Sequence, residues 1–381
     1  MVQGLQTVHI LGAGPTGSLT ALALAKNNQR VVLHDPLPTD DLTTRSRAYA
    51  ITHSSRRLLQ KLNLWHCLAE DLIPFDLLDL RDQSVQWKVL FQLNDLPAGH
   101  RIHGGIGWIL DHGPLMRLLF SCLQIHPNVE LFLGVPPPDP GPDDLIVAAD
   151  GPGSPTRKSW GIGHWRHTYR QGCLTVKVAI RGIGEKKAFE LFRSEGPLAI
   201  LPLGQGNFQV VWSAPLYRCR ERCELSGGGF LDQLAAILPT GLEPDRLLDR
   251  PRAFPQELML AHRLSSGRGV LIGEAGHRCH PVGGQGLNLC WRDVETLLQS
   301  VTRGGSPSSI ARRYGRQRWM DLLLVGLSTD LLIRLFSNRS SLLLPLRGLA
   351  IGLLALNSTL RKLSLRAMSD GPMQLMRVLP D

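Results

Sequence analysis

The chain is short of aromatic residues: they make up 6% of its 381 positions, with only four tyrosines. In the basic stretch beyond Val301 no run of aromatics offers nucleic-acid bases a surface to stack on. Cysteine is sparse and odd in number, at Cys67, Cys122, Cys173, Cys219, Cys223, Cys279 and Cys290. Such scattered positions exclude a disulfide framework and point to a reducing cytosol. No basic-then-apolar leader opens the sequence. No apolar run is long enough to span a bilayer: the best, Leu342 to Leu356, is interrupted by Pro345 and Arg347 and falls short of the roughly 20 residues required. Low-complexity tracts and internal repeats are missing too, and 43% hydrophobic with 19% charged residues predicts an ordinary globular core. The length allows one large domain or two that share an interface.

Acidic residues are outnumbered, 32 against 42 Lys and Arg, for a net charge of +10. The excess is local. From Val301 onward, twelve bases and four acids give +8, which leaves +2 for everything before. These bases are set among Leu322, Leu323, Leu324, Leu331, Leu332 and Leu335. A basic, leucine-rich helix suits an anionic lipid surface better than a nucleic acid, the alternative being the solvated face of a core helix. Membrane contact, if made, is expected to be peripheral.

Thr7 to Leu11 reads as a strand, Gly12 to Gly17 as a tight turn, Ser18 to Lys26 as a helix, and Arg30 to His34 as a second strand with Asp35 at its end. This βαβ unit predicts an α/β, doubly wound sheet with a ligand at its C-terminal edge. A helix is expected from Ser54 to Leu68 and another from Gly113 to Leu123. The proline run at 136–142 must be a loop. Residues 74–108 read as short strands and turns, and 165–260 as mostly antiparallel strands with one helix from Phe230 to Leu238. The chain then returns to α/β character, with a strand at Gly269 to Ile272 and a helix from Leu287 to Val301.

Three motifs carry chemistry. Gly12-Ala13-Gly14-Pro15-Thr16-Gly17 places glycines where backbone must approach a pyrophosphate at a helix N-terminus, and Asp35 stands where a carboxylate can accept from ribose hydroxyls. Gly273-Glu274-Ala275-Gly276-His277, followed by Pro281, Gly283, Gly284, Gln285, Gly286, Leu287 and Asn288, repeats the strand–glycine–helix arrangement and suits a flat ligand. Asp150-Gly151, with Ser154 and Arg157 behind it, ends a strand in a turn. His277, Cys279 and His280 lie close in sequence, but a zinc site needs a fourth ligand, and no metal is expected. Cys219 and Cys223 read as free thiols, and Trp65 and Trp291 as packing residues.

Together these residues resemble the FAD-dependent aromatic hydroxylases, and most closely the branch that acts on ubiquinone precursors. Ser46-Arg47-Ala48-Tyr49-Ala50-Ile51 looks like that family's Arg-containing segment, and Phe254-Pro255, Leu258, Tyr314, Arg318, Arg347-Gly348-Leu349 and Gly371 extend the match nearly end to end. The resemblance implies a Rossmann-like FAD-binding domain (1–73, 109–164 and 261–305), an inserted antiparallel substrate domain (74–108 and 165–260) and a helical C-terminal region from 306. It implies that Arg47 reaches the FAD phosphates, that Glu274 holds the ribityl chain, and that Pro281 to Asn288 wrap the isoalloxazine. NAD(P)H would serve as transient co-substrate, O2 as oxidant, and a hydrophobic, prenylated phenol as substrate. A prenyl reductase on the same scaffold and a non-catalytic flavin-binding partner are the rival readings. Two features depart from the family pattern: Glu274 stands where relatives have Asp, and the proline loop replaces a longer meander before Asp150. No catalytic acid or base is identifiable in the middle of the chain.

Overall fold

The computed structural model describes residues 7–85, 87–182, 184–279, 282–336 and 344–371. Val8–Leu11 and Val31–Asp35 pair in parallel, Val8 opposite Val31, across the Pro15–Lys26 helix. That helix begins before the run of strong helix formers, because proline's fixed φ suits the first turn and its missing N–H costs nothing there. The unit is the middle of a six-stranded sheet, flanked by Val129–Leu133 on one side and by Leu145–Ala148, Gly269–Leu271 and Ser265–Ser266 on the other. All pairings are parallel except the last. The strand order changes direction at Val8–Leu11, so a crevice opens beyond the carboxyl ends of Val8–Leu11 and Leu145–Ala148. Leu19, Leu22, Leu33, Val147 and Leu297 are fully buried in the core that joins sheet and helices. Between Leu133 and Leu145 the chain runs only as the proline loop.

A nine-stranded sheet forms from residues 77–92 and 164–261, closed by His277–Arg278. Its spine is the 18-residue strand His164–Arg181, paired antiparallel with both Asn207–Pro215 and Arg252–Ala261. Among its pairings only Leu77–Asp82 with Lys187–Phe192 is parallel. A small antiparallel sheet of Ala48–Ile51, Gly107–Asp111 and Leu72–Phe75 joins the two larger ones.

Several elements differ from expectation: the helix read over Phe230 to Leu238 spans Gly227–Ala235, Thr39–Thr43 is a short helix, and two further differences have a clear physical cause. The helix read over Ser54 to Leu68 spans His53–Lys61, because Asn63 takes a left-handed φ of 56° and ends it; His66–Leu68 is a separate 3₁₀ turn. Leu216–Cys223 is a helix that its polar sequence did not reveal. Tertiary contacts hold it: Cys219 is buried, and the Arg222 guanidinium lies 3.9 Å over the Trp212 ring.

The C-terminal region folds as the helices Pro307–Phe336, Leu344–Leu356 and Ser358–Asp370. They are tied into the body of the protein by buried polar bonds. Tyr314 donates its hydroxyl to the Leu271 carbonyl at 2.9 Å, Arg347 pairs with Asp82 at 2.9 Å, and Arg361 with Asp95 at 3.1 Å. Asp82 and Arg347 are each 1% exposed, so removing either partner would strand a buried charge.

Candidate active site: two glycine loops at the junction of two cavities

The crevice at the switch point is a cleft of about 690 Å³. Gly12, Gly14, Pro15, Thr16, Asp35, Arg47, Asp150, Glu274, Gly286 and Leu287 all line it, from five separate stretches of chain. The glycines do different work. A Cβ on Gly12, which has a φ of +107°, would sit 2.4 Å from the Ala149 carbonyl oxygen; one on Gly17 would sit 1.8 Å from that of Gly12. Both shape the turn. A Cβ on Gly14 or on Gly286 would meet no atom within 4 Å, so at these two places the missing side chain keeps the cleft itself clear.

Two helices start at this cleft, Pro15–Lys26 and Gln285–Thr302, and neither has a side-chain cap. Their first-turn N–H groups and dipoles are left for an anion. Arg45 and Arg47 line the cleft and form no ion pair among the described residues; Arg47 stacks on Tyr49 at 5.4 Å. Asp35 is held by the N–H of Ala13 at 2.8 Å and that of Leu37 at 2.9 Å, which leaves lone pairs on each oxygen for ribose hydroxyls. Asp150 accepts the Thr156 N–H through Oδ2, whereas its Oδ1 is buried and has no protein partner. Uncapped helix ends, open glycines, free guanidinium groups and an orphaned carboxylate oxygen together suit an extended dinucleotide.

A second cavity, about 180 Å³, lies between the Gly283–Leu287 loop and one face of the nine-stranded sheet. Arg47, Tyr49, Glu274, Gly286 and Leu287 line both cavities and so mark their junction. Leu78, Ala199, Leu201, Val211 and Phe254 make the far wall apolar. Tyr49 is fixed by a relay. The Leu42 carbonyl can only accept, so His112 Nε2 donates to it at 2.8 Å and Nδ1 accepts the Tyr49 hydroxyl at 2.9 Å. Burial pushes the Tyr49 phenol up to about 12 and the His112 imidazole down, which favours the neutral form of both.

Several residues singled out from the sequence stand behind the cavities rather than in them. Asn288 accepts from Thr52 and Ser55 and donates to the carbonyls of Ala50 and Gly284, which occupies its whole amide. It braces the glycine loop against Ala48–Ile51. Gly17 and Gly273 likewise shape loops; Gly273 has a φ of +60° and packs on Thr16. Gln285 lines the second cavity and donates to the carbonyls of Gly283 and Met368. Arg157 ties the Asp150 turn to the second glycine loop, through the carbonyls of Pro152 at 3.0 Å and Ala275 at 2.6 Å. Pro281 and His280 lie outside the described residues. His277 is committed to Asp293 at 2.7 Å.

That last bond belongs to a network the sequence reading missed. Asp293 is fully buried; it accepts from the Gly273 N–H at 2.7 Å, from His277, and from Arg318 at 2.7 Å. Arg318 continues to Asp321 at 2.5 Å, which Arg292 also reaches at 3.3 Å. Despite burial, His277 and Arg318 hold the Asp293 carboxyl below its ordinary range. The available signals were Arg292-Asp293 one helical turn beyond the glycine loop, and Arg318 four residues after Tyr314.

Comparison with known proteins agrees with this geometry. A family described as an FAD binding domain matches residues 143–320. The 3-demethoxyubiquinol 3-hydroxylase of Escherichia coli is 27% identical, over 91% of this chain and 94% of its own. The mitochondrial ubiquinone biosynthesis monooxygenase COQ6 of Dictyostelium discoideum is 24% identical, over 93% and 89%. The fold superimposes on the Klebsiella pneumoniae HpxO structure, solved with FAD and uric acid, with a TM-score of 0.74 over 96% of each chain at 18% identity. A glycine-lined cleft opening onto an apolar chamber thus occurs in a chain that is similar to ubiquinone hydroxylases over most of its length and shares the fold of FAD-dependent monooxygenases.

Proposed function

We propose that this chain hydroxylates a hydrophobic, prenyl-bearing phenol in quinone biosynthesis, with NAD(P)H and O2 as co-substrates. The observation that carries the reading is the junction of the two cavities, where Arg47, Tyr49, Glu274, Gly286 and Leu287 serve both. In this assignment Gly12, Gly14, Pro15, Thr16 and Arg47 take the FAD diphosphate, and Asp35 and Asp150 take hydroxyls. Glu274 takes the ribityl chain and Gly283 to Leu287 the ring. Gly17, Gly273 and Asn288 act indirectly, by setting the loop shapes. FAD supplies the redox chemistry that draws electrons from NAD(P)H and activates oxygen. The protein's part is to orient the phenol against the apolar sheet face and keep water away from the reacting atoms.

Two features support a long apolar substituent. A mostly apolar pocket of about 310 Å³, lined by Trp165, Leu258, Leu322 and Leu323, adjoins the reaction cavity through Arg278 and Cys279. In addition, the Ser358–Asp370 helix sends Leu365 and Met368 into the reaction cavity while Leu360 and Leu363 are exposed. The preceding helix exposes Leu346, Leu349, Leu353 and Leu356. No described helix is long and apolar enough to cross a membrane. A leucine-studded surface that carries the exposed Lys362 and belongs to helices reaching the cavity is suited to collecting a lipid-soluble phenol from an anionic surface. The full chain is expected to float with phosphatidylglycerol vesicles and not with phosphatidylcholine vesicles, and Leu349→Glu with Leu353→Glu should abolish flotation. Equal behaviour on both lipids would refute the lipid-facing role.

The reaction itself is tested by incubating FAD-loaded protein with NAD(P)H and prenylated phenols, in air and under argon. The hydroxylated phenol is expected in air alone. Turnover that persists under argon would instead identify a reductase on the same scaffold.

A further inference from the structure

The reaction cavity holds a carboxyl group that the cofactor has no part in placing. Glu190, on the Lys187–Phe192 strand, lines the wall opposite the glycine loop. Its cross-strand neighbours are Ala199 on one side and Leu80 on the other, and Ala188 precedes it on the same face. None of these side chains can donate a hydrogen bond, and Glu190 has no hydrogen bond or ion pair among the described residues. The reverse face of the same strands is the opposite case: Asp79 is paired with Arg81 at 2.8 Å and Lys187 at 2.9 Å. Nearby on the cavity wall, Gln209 spends its amide N–H groups on the carbonyls of Val176 and Val210, and its Oε1 is buried without a partner. A largely apolar wall that carries one buried unsatisfied acceptor, Gln209 Oε1, and a half-buried carboxyl with no protein partner is suited to a ligand that brings a donor.

We infer that Glu190 accepts the phenolic O–H of the substrate, holds the ring by that bond, and takes its proton as the ring is attacked. The inference rests on the hydroxylase reading above. In the transfer the phenol O–H bond breaks and its electron pair stays on oxygen, which enriches the ring. The proton forms the O–H of the Glu190 carboxyl and returns to the phenol oxygen as the attacked carbon gives up its own proton, which leaves in the water formed from the second oxygen atom of O2. Burial pushes the carboxyl up to about 7, where a general base is best matched to neutral conditions. The titratable groups that line the cavity with it are Arg47, Tyr49, Glu274, Arg278, Cys173 and Cys279, and among the described residues none is hydrogen-bonded or ion-paired to it. Asp79, Arg81 and Lys187 pair with one another on the far side of the sheet.

The test compares wild type with Glu190→Gln and Glu190→Asp. In wild type kcat should rise with pH through about 7, because the ionised carboxylate is the active form. Glu190→Gln should lose that limb, with kcat lowered about 10²–10⁴-fold, while FAD content stays unchanged; Glu190→Asp should recover part of both. A second readout needs neither flavin nor substrate. A carboxyl whose folded pKa lies above its unfolded value costs stability as pH rises through that interval, and nothing below it. Glu190→Gln should therefore raise Tm at pH about 8 and leave it unchanged at pH about 4. Persistence of the wild-type pH limb in Glu190→Gln, or a Tm that falls equally at both pH values, would overturn the inference. Wild type that binds FAD yet hydroxylates no phenol, with the Tm pattern intact, would refute the hydroxylase reading and leave the poised carboxyl standing.

Discussion

Gly14→Val is expected to give a folded protein that is colourless. Gly14 has a φ of −68° and a ψ of −178°, which any residue adopts, and a Cβ there touches nothing within 4 Å. The substitution therefore leaves the apoprotein unstrained, and its Tm should match wild type. The branched side chain would instead fill the space where a diphosphate must meet the N-terminus of the Pro15–Lys26 helix. A loss of at least about 10²-fold in FAD affinity, on the order of 3 kcal/mol, is expected from displacing those contacts. Gly12→Ala is the control with the reverse outcome, since its Cβ would collide with the Ala149 carbonyl oxygen and damage the fold before any ligand is added. Flavin absorbance after gel filtration, read beside thermal melts, separates the two. A yellow Gly14→Val protein with undiminished affinity would remove the diphosphate from this cleft.

Asp293→Asn should cause the largest loss of stability of any single change near the site. One carboxylate serves Gly273, His277 and Arg318, and it is fully buried. Removing its charge leaves Arg318 buried with only Asp321 to compensate it, a class of change that costs about 3–5 kcal/mol. Urea denaturation of the apoprotein measures this. The pH dependence has a definite sign. The Asp293 carboxyl is held below its ordinary value of 3.8 in the folded protein, so its contribution is complete above that value and is lost as pH falls through the lower one. The gap between wild type and variant should hold from neutrality down to pH about 4 and narrow below it. A gap that stays constant into strong acid would show that the ion network contributes little. Because Asp293 also fixes the Gly273 N–H, FAD affinity should fall with stability, in contrast to Gly14→Val, where affinity falls alone.

The parts of the site that could be read from the sequence are those made of local pattern. Gly12 to Gly17, Asp35 and the strand–helix periodicity around them specify one βαβ unit, and its geometry places the cleft. The second glycine loop announced itself through the cost of setting so many glycines together. Contacts between distant residues were not legible. Nothing near Arg157 in the sequence shows that its guanidinium ends on the Ala275 carbonyl, or near Asn288 that its amide ends on Ala50 and Thr52. Asp293 and Arg318 look like ordinary helical charges until the helices pack. Glu190 was hidden for the same reason: on a strand read as alternating, it falls on the face that sheet register turns toward the cavity, and only the pairing with Ala199 shows which face that is. The carboxyl we propose as the base is singled out by its surroundings in the fold rather than by its neighbours in sequence, which is why no acid or base was evident in the middle of the chain.

The central claim is that a single FAD spans both glycine loops, with its reactive ring at the mouth of the apolar cavity. A crystal structure of the chain grown with FAD tests this most directly. The account predicts the diphosphate against Gly14 and Arg47, and the ring edge against Gly283 to Leu287, facing the wall that bears Glu190. A flavin ring lodged anywhere else, or one glycine loop left untouched by the nucleotide, would contradict it.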